Sequence, residues 1–475
     1  MGVGEDRPAL RSEAPAARSL EGDRIWAAIE RDLRIAPKAA AAPTRRMSRP
    51  RVSSSVLIAS FTVLTVAALV VAGTVAFHGS SSPPGPGPAS HSHAAPARVA
   101  VVHRGVLSIV TENTGRAIVL ARGPFGGVGS AINAPGFSPD GEWVAYLETA
   151  GSASVLHIVK SSGGAAATIA GVANYAWSPR RDELAVSLSG SVELVNPAGT
   201  LLHRWALRRP GPEVFSPSGS VIAVGTVVSK SSVGSTGGSL LVLPVAGGQP
   251  RMVVPFQANF CQIPGGWTAD GSRVLVWQDA ACSASIAADG LTLDAVPVAG
   301  GPLVSLGTSL VNTGWVVPTA GVNVLVDRGD SRVAADHKAL QSCSAATGLC
   351  APLPLPPRVS TLDPALAPAA RLLFEVRVAQ SSLFTDFLPH GTLWLTNGAG
   401  TGAKELTAAG SGVADPVPAR DGSTVTFVRM TSPGSATVSV LTVRSGAVRV
   451  LASVDLADYY GEFQSSRVLA VWQPR

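Results

Sequence analysis

Short alternating apolar runs separated by turn residues fill most of the chain, and one segment of this kind recurs. It reads GFSPDGEWVAYLE from Gly136, AWSPRRDELAVSL from Ala176, VFSPSGSVIAVGT from Val214 and GWTADGSRVLVWQ from Gly266. Each copy has an aromatic residue, a small polar pair, a turn and an apolar run, which predicts a half-buried β-strand after the turn. The aromatic marks lie 40, 38, 52 and 48 residues apart, a period typical of repeat proteins, at Phe137, Trp177, Phe215, Trp267 and Trp315.

The turn within each copy explains its polar residues. In the first copy, Pro139 has a fixed φ, Gly141 accepts a positive φ, and the Asp140 side chain caps the turn. We therefore interpret the following residues as structural turn residues without a catalytic or metal-binding role: Ser138, Pro139, Asp140, Gly141, Asp270, Gly271, Asp421 and Gly422.

A predicted hairpin follows each copy, as in GSLLVLPVAGGQPRMVV from Gly238, where a glycine pair suits a tight turn. One copy and one hairpin make four antiparallel strands, which is one propeller blade. Seven copies and eight hairpins indicate that the chain begins with half a blade, and GEFQSSRVLAVWQ from Gly461 is the candidate for the missing half. We predict an all-β fold, a β-propeller of eight four-stranded blades. Seven blades is the alternative, because the copies at Trp315 and Leu366 match poorly.

The phrases FSPDGEWVAYLE, WSPRRDELAVSL and WTADGSRVLVW resemble the WD-type repeats of TolB-like β-propellers, over roughly residues 100–475. The resemblance implies the propeller fold. Similar propellers serve as periplasmic scaffold proteins, as sensor ectodomains and as non-catalytic domains of prolyl-oligopeptidase-type enzymes, so the resemblance implies no single function.

An uncharged apolar run, Val56–Phe77, covers 22 residues, which is about 33 Å as a helix and long enough to cross a bilayer. Four arginines precede it, and the next basic residue after it is Arg98. By the positive-inside rule, the N-terminus is cytoplasmic and the propeller is extracytoplasmic. A cleaved signal peptide is the alternative, but its apolar core is shorter and lies nearer the N-terminus.

These features predict four regions: a cytoplasmic, mostly disordered tail at 1–53, a transmembrane helix at 54–77, a Pro/Gly/Ser/His-rich linker at 78–98 and the β-propeller at 99–475. The tail holds 11 Lys/Arg and 7 Asp/Glu, so it carries +4 of the chain's net +6. This excess predicts contact with anionic lipid headgroups, and we expect no nucleic-acid partner because no basic stripe with interleaved aromatic residues is present. Abundant Ala and Val with few Lys are typical of a high-GC bacterium such as an actinomycete.

One segment of the tail, near 20–35, reads LEGDRIWAAIERDLRI and places Ile25, Trp26, Ile29 and Leu33 on one helical face. Two interpretations remain open. The segment is either an amphipathic helix resting on the inner leaflet or a docking helix for a cytosolic partner such as a sigma factor, and the second makes the protein a transmembrane signalling protein.

The four cysteines all follow the apolar span. Cys261 and Cys282 are symmetric about a predicted turn, and Cys343 and Cys350 flank a short one. An even count in an oxidising compartment predicts two local disulfides, Cys261–Cys282 and Cys343–Cys350. The cysteine spacing does not suit zinc, and the linker histidines His78, His91 and His93 have no fixed geometry. We therefore expect no metal or cofactor.

Catalytic motifs are missing from the sequence: it has no G-x-S-x-G, no H-E-x-x-H and no P-loop. We also expect no added hydrolase domain of the prolyl-oligopeptidase type. The sequence favours a membrane-anchored extracytoplasmic propeller that acts as a binding, scaffold or sensor module for a protein or cell-envelope ligand. The alternative is a propeller enzyme, a hydrolase, lyase or cyclase, with acidic and histidine side chains at the channel mouth.

Overall fold

The computed structural model describes residues 96–474 except for short gaps, which are 124–129, 151–152, 165, 231–234, 281, 284–285, 287–288, 370, 383–390, 433–434 and 456–468. The chain divides into the units Met1–His93 and Ala94–Arg475, and every described residue belongs to the second. The predicted tail, membrane span and most of the linker lie outside the described residues. Among the residues that are described, no helix is long and apolar enough to cross a membrane.

The described residues form eight four-stranded sheets, which we call blades I to VIII. Blade I consists of β1 (Arg98–His103), β2 (Val106–Thr111), β3 (Ala117–Arg122) and β32 (Leu469–Trp472). Blade II consists of β4 (Ser130–Phe137), β5 (Trp143–Ala150), β6 (Ala153–Lys160) and β7 (Ala166–Ala170). Blade III consists of β8 (Asn174–Trp177), β9 (Leu184–Leu188), β10 (Ser191–Val195) and β11 (Leu201–Ala206). Blade IV consists of β12 (Pro210–Phe215), β13 (Val221–Lys230), β14 (Ser235–Pro244) and β15 (Arg251–Ala258).

The other four sheets repeat the same arrangement. Blade V consists of β16 (Phe260–Trp267), β17 (Arg273–Ala280), β18 (Leu291–Pro297) and β19 (Val304–Ser309). Blade VI consists of a 3-10 turn (Thr313–Trp315), β20 (Val316–Pro318), β21 (Asn323–Arg328), β22 (Ala339–Ser344) and β23 (Cys350–Pro352). Blade VII consists of β24 (Val359–Ala367), β25 (Leu372–Ala379), β26 (Thr392–Asn397) and β27 (Lys404–Glu405). Blade VIII consists of β28 (Val413–Pro418), β29 (Thr424–Ser432), β30 (Ser435–Thr442) and β31 (Ala447–Asp455).

The first strands of neighbouring blades meet at the hub of a ring. β32 contacts β4, β4 contacts β8, and the same relation continues through β12, β16, β20 and β24 to β28. Within blades II to VIII the strand order follows the chain, and all pairings are antiparallel. The prediction of an all-β propeller with eight four-stranded blades is therefore confirmed.

Blade I closes the ring by joining the two ends of the propeller. β32 pairs with β1 in the register Arg98↔Trp472, Val99↔Val471, Ala100↔Ala470 and Val101↔Leu469. The prediction that the two ends share a blade is correct, but the proportion differs, since three strands come from the N-terminal side and only one from the C-terminal side. The additional N-terminal strand is β1, RVAVVH, which follows the linker directly.

Trp472 connects the β1–β32 pairing to blade II. Its indole Nε1 donates to the Pro139 carbonyl at 3.3 Å, and the Arg98 guanidinium lies 4.4 Å from the centre of its ring. A Cβ at Gly141 would lie 2.4 Å from the indole, so only glycine permits this close approach.

The recurring turn has the geometry that its sequence predicts. The Ser138 hydroxyl accepts from Trp143 N at 3.0 Å and donates to Asp140 Oδ1 at 2.5 Å, and Asp140 Oδ1 also accepts from Glu142 N at 2.8 Å. Thr268 and Asp270 repeat this network in blade V. The glycines that follow have φ of 74°, 70° and 71°, at Gly141, Gly271 and Gly422 respectively.

The tryptophan copies of the repeat link neighbouring blades. Trp177 Nε1 donates to the Gly136 carbonyl at 2.9 Å, and Trp267 Nε1 donates to the Val214 carbonyl at 3.1 Å. The apolar parts of the blade faces pack together beneath these bonds, as Leu194 and Trp205 of blade III do with Ile222 of blade IV. The repeat therefore joins each blade to its neighbour as well as building the blade.

The two faces of the ring differ because consecutive antiparallel connections alternate between them. We call the face with the first-to-second and third-to-fourth connections the turn face; its connections are short. The loop face carries the other connections, including the long segments 281–290, 329–338 and 380–391. Trp472 and its partner Arg98 lie at the turn face, beside Pro139, so the described chain both enters and ends there.

Candidate binding surface on the loop face

The loop face of blade V presents two large apolar side chains to solvent. Phe260, the first residue of β16, is 41% exposed, and Ile286, in the connection after β17, is 39% exposed. Most other large exposed apolar residues lie on or beside the outer strands of the blades, far from the hub. Exposed aromatic and aliphatic side chains on a supported surface are a common feature of protein-binding sites.

A disulfide lies beside Phe260 and at the start of the connection that holds Ile286. Cys261, next to Phe260, is bonded to Cys282 across the start of β16 and the end of β17, with Cα atoms 5.0 Å apart. The second disulfide, Cys343–Cys350, joins β22 to β23 at the turn face. Both predicted pairings are thus present, and the chain's four cysteines are all bonded.

Asp279 lies beneath the Cys282 connection. Its carboxyl oxygen Oδ1 accepts from Ser283 N at 3.1 Å, and its backbone carbonyl accepts from Cys282 N at 3.3 Å. Burial raises the pKa of this carboxyl to about 6. The side chain is 6% exposed, so it orders the connection and is covered by it.

The neighbouring connection, 329–338 of blade VI, is held by a fully buried lysine. The Lys338 ammonium donates to three backbone carbonyls of the connection, those of Ser331 at 2.6 Å, Val333 at 3.2 Å and Asp336 at 3.2 Å. An ammonium has three N–H donors, so one side chain fixes three points of this irregular segment. The connection is therefore a rigid part of the surface although it has no regular secondary structure.

An ion pair joins the two connections. Arg332 Nε donates to Asp289 Oδ1, and this bond lowers the pKa of the Asp289 carboxyl. Asp330 and the hydrogen-bonded pair Asp336–His337 lie on the same connection as Arg332. Phe260 and the two connections thus present both apolar and charged side chains on one braced part of the loop face, and protein-binding patches commonly combine the two. We call this part of the loop face the blade V–VI surface.

Acidic side chains also meet inside the ring, between blades VI and VII. Asp327 of β21, Asp363 of β24 and Glu375 of β25 are 0%, 5% and 2% exposed, and burial raises the pKa of each. Asp327 Oδ1 accepts from the Thr361 hydroxyl at 2.8 Å. Such burial leaves no access for a substrate, so these groups have structural roles.

Asp363 connects three blades. Its Oδ1 accepts from Trp315 Nε1 of blade VI at 2.8 Å, and its Oδ2 accepts from Asp415 N of blade VIII at 3.1 Å. Trp315 lies in the 3-10 turn before β20 and bonds to the following blade, whereas Trp177 and Trp267 bond to the preceding one, so it is not equivalent to the aromatic mark of the other copies. Glu375 is paired with Arg377, whose guanidinium lies 4.6 Å from the centre of the Trp394 ring.

The residues predicted from the sequence occupy two places. The turn residues, from Ser138 to Gly422, lie on the turn face and away from the blade V–VI surface, and only Cys261–Cys282 supports that surface. Within the described residues, no group of three or more His, Cys, Asp or Glu is placed to hold a metal ion. The histidines of the linker lie outside those residues.

The sequence reading missed Phe260, Ile286, Lys338 and Asp327. Two signals were present. Long connections interrupt the repeat after β17 and β21, and charged residues occur in otherwise apolar strands, as in NVLVDR and LLFEVRVA. Charges at such positions indicate buried polar contacts between sheets.

Comparison with known proteins gives distant likenesses only. No family model and no curated protein matches the chain. Among solved structures, a prolyl endopeptidase is 12% identical with a TM-score of 0.45, covering 77% of this chain and 51% of its own. A dipeptidyl peptidase 4 from Porphyromonas gingivalis is 9% identical with a TM-score of 0.48, covering 74% and 57%.

A TolB protein from Agrobacterium tumefaciens is 14% identical with a TM-score of 0.35, covering 79% of this chain and 97% of its own. The chain thus spans little more than half the length of either peptidase. Likenesses this distant carry no information on activity, and the assignment of the fold rests on the strand pairing itself.

One buried carboxyl makes the stability of the ring depend on pH. Glu213 of blade IV is 4% exposed, its Oε2 accepts from the Ser187 hydroxyl of blade III at 2.5 Å, and burial raises its pKa to about 8 from an ordinary 4.5. The folded protein therefore holds this proton more tightly than the unfolded chain does. The contribution of the protonated Glu213 carboxyl to the free energy of unfolding is fully present below pH 4.5 and is lost as the pH rises through about 8.

We expect Glu213→Gln to be more stable than wild type at pH 9 by a few kcal/mol, and close to wild type at pH 5. Thermal melts at both pH values measure this difference. Glu405→Gln, an exposed position on β27, is the control and should follow wild type at both. If Glu213→Gln were less stable than wild type at pH 9, the carboxyl would be ionised in the folded ring.

Proposed function

We propose that the propeller is an extracytoplasmic binding module, held by an N-terminal membrane anchor, and that it binds a protein partner through the blade V–VI surface. The observation that carries the proposal is the pair of exposed apolar residues, Phe260 and Ile286, on a surface braced by a disulfide and by Lys338. Rigid support lowers the entropy cost of binding, because the surface is ordered before the partner arrives.

The blade V–VI surface and the start of the described chain lie on opposite faces of the propeller. Arg98 begins β1 at the turn face, whereas Phe260 and Ile286 lie on the loop face. The two disulfides support an oxidising compartment, as an exported protein requires.

A propeller enzyme is the second candidate. Its support is limited to Asp279, whose pKa of about 6 would suit proton transfer at neutral pH. The 6% exposure of that side chain and its bond to Ser283 favour the structural role. The binding proposal therefore accounts for more of the loop face.

Partner binding is tested with the double variant Phe260→Ser/Ile286→Ser. We expect it to lose a partner that wild-type protein captures by crosslinking in the envelope fraction, with affinity for the purified partner at least about tenfold weaker, since central apolar residues dominate binding energy. Leu349→Ser is the matched control, because Leu349 is 76% exposed but lies at the turn face. Equal capture by the double variant, or equal loss with the control, would place the binding site elsewhere.

The anchor is tested by labelling. Since all four native cysteines are bonded, a single introduced cysteine is the only thiol in the chain. We expect a membrane-impermeant maleimide to label Ala399→Cys, at an exposed turn of blade VII, on intact cells. The tail variant Ser19→Cys should be labelled only after permeabilisation. The reverse pattern would overturn the proposed orientation.

A further inference from the structure

A cavity lies on the turn face of the ring, opposite the blade V–VI surface and beside the β1–β32 pairing that closes the ring. Its volume is about 710 Å³, and it opens between blade VIII and blade I, beside the points where the described chain enters and ends. Cavities of roughly 300–1,000 Å³ are the usual size for small-molecule sites. The turn residue Asp421 is part of its lining, but neither the repeat nor the blade V–VI surface accounts for the cavity.

Two arginines supply positive charge at this cavity. Arg420 is exposed on the β28–β29 turn, and within the described structure its side chain has neither a hydrogen bond nor an ion pair. Arg449 of β31 donates from Nη2 to the Glu112 backbone carbonyl of blade I. Arg449 therefore bridges the two blades, and the Arg420 guanidinium is open to a ligand.

The two carboxyl groups that line the cavity already accept hydrogen bonds from the protein. Asp421 Oδ1 accepts from Ser423 N at 2.9 Å and from the Ser423 hydroxyl at 2.7 Å. Glu112 is 9% exposed, burial raises its pKa, and a bond from the Thr424 side chain and the charge of Arg449 act against that rise. The Asp421 carboxylate stays ionised, because the bonds from Ser423 lower its pKa, so it offsets part of the arginine charge at the opening.

The remaining lining consists of small apolar and neutral polar side chains. Ala97, Ala419, Val440 and Val448 form apolar wall, and the polar remainder includes Thr442. No aromatic residue is among the described side chains that line it, so the cavity lacks the ring on which a sugar stacks. Methyl groups of a ligand can pack against this wall, and amide groups of a ligand can form hydrogen bonds with the hydroxyl and amide side chains of the lining.

We propose that this seam cavity binds the free carboxyl end of a short peptide with small apolar side chains. Arg420 receives the carboxylate in a two-bond fork, the alanine and valine wall contacts the ligand's methyl groups, and the polar residues of both blades bond its amides. The ligand thus contacts blade VIII and blade I at once and stabilises the ring at its closure. This site is independent of the partner site on the loop face.

The test titrates the full-length protein in detergent micelles with N-acetyl-alanyl-alanine, followed by calorimetry and by thermal melting. We expect saturable binding and a melting temperature that rises with ligand concentration. The same peptide with a C-terminal amide should bind at least about tenfold more weakly, because a charge-assisted bond is lost. Arg420→Gln should weaken binding of the acid to the same degree and leave binding of the amide unchanged.

Arg444→Gln is the matched control, because Arg444 lies on the neighbouring β30–β31 turn and outside the cavity lining. It should bind the acid as wild type does. Equal binding of acid and amide, equal weakening by Arg444→Gln, or no heat and no thermal shift with the acid would each overturn the proposal. Tighter binding of glucuronate than of the peptide would overturn the ligand class. None of these outcomes bears on partner capture by the blade V–VI surface.

Discussion

The pairing of β32 with β1 is the constraint on which the rest of the structure depends. A ring of blades has no free inner edge only when the last strand returns to the first blade. Four residues from the C-terminal side form the hub strand of blade I. Trp472 at the end of this strand contacts Pro139 and Gly141 of blade II. Without this pairing, β1 would present an open edge at the hub, and open edges invite aggregation.

Polar groups buried between blades fix how the closed ring is assembled. Ser187 and Glu213 join blades III and IV, Thr361 and Asp327 join blades VII and VI, and Asp363 joins three blades. Each of these bonds is made only when neighbouring blades have one particular offset, so they favour a single arrangement over other apolar packings. A frame held in this way supports the irregular connection 329–338, which Lys338 holds through three backbone carbonyls.

The sequence predicted the parts of the protein that rest on local chemistry. The turn from Ser138 to Gly141 is a local hydrogen-bond network, and the pairings Cys261–Cys282 and Cys343–Cys350 follow from hairpin symmetry. β1 was missed because it pairs with β32, which comes from the other end of the described chain. Trp315 matched poorly because it lies in a 3-10 turn before its strand and bonds to Asp363 of the following blade. Lys338, Phe260 and Ile286 were missed for a related reason. The role of Lys338 depends on the backbone carbonyls that it contacts, and the roles of Phe260 and Ile286 depend on their exposure to solvent. The repeat pattern specifies neither.

The closure is tested most directly by cysteines placed across the seam. Ala100 and Ala470 are opposite each other in the β1–β32 register, so Ala100→Cys/Ala470→Cys should form a disulfide on air oxidation, detected by non-reduced peptide mapping. The pair Ala100→Cys/Val471→Cys is one residue out of register, and in an antiparallel sheet its second side chain points to the other face. We expect a link between positions 100 and 470 and little between 100 and 471. Equal linkage in both variants, or none in either, would contradict ring closure through β32.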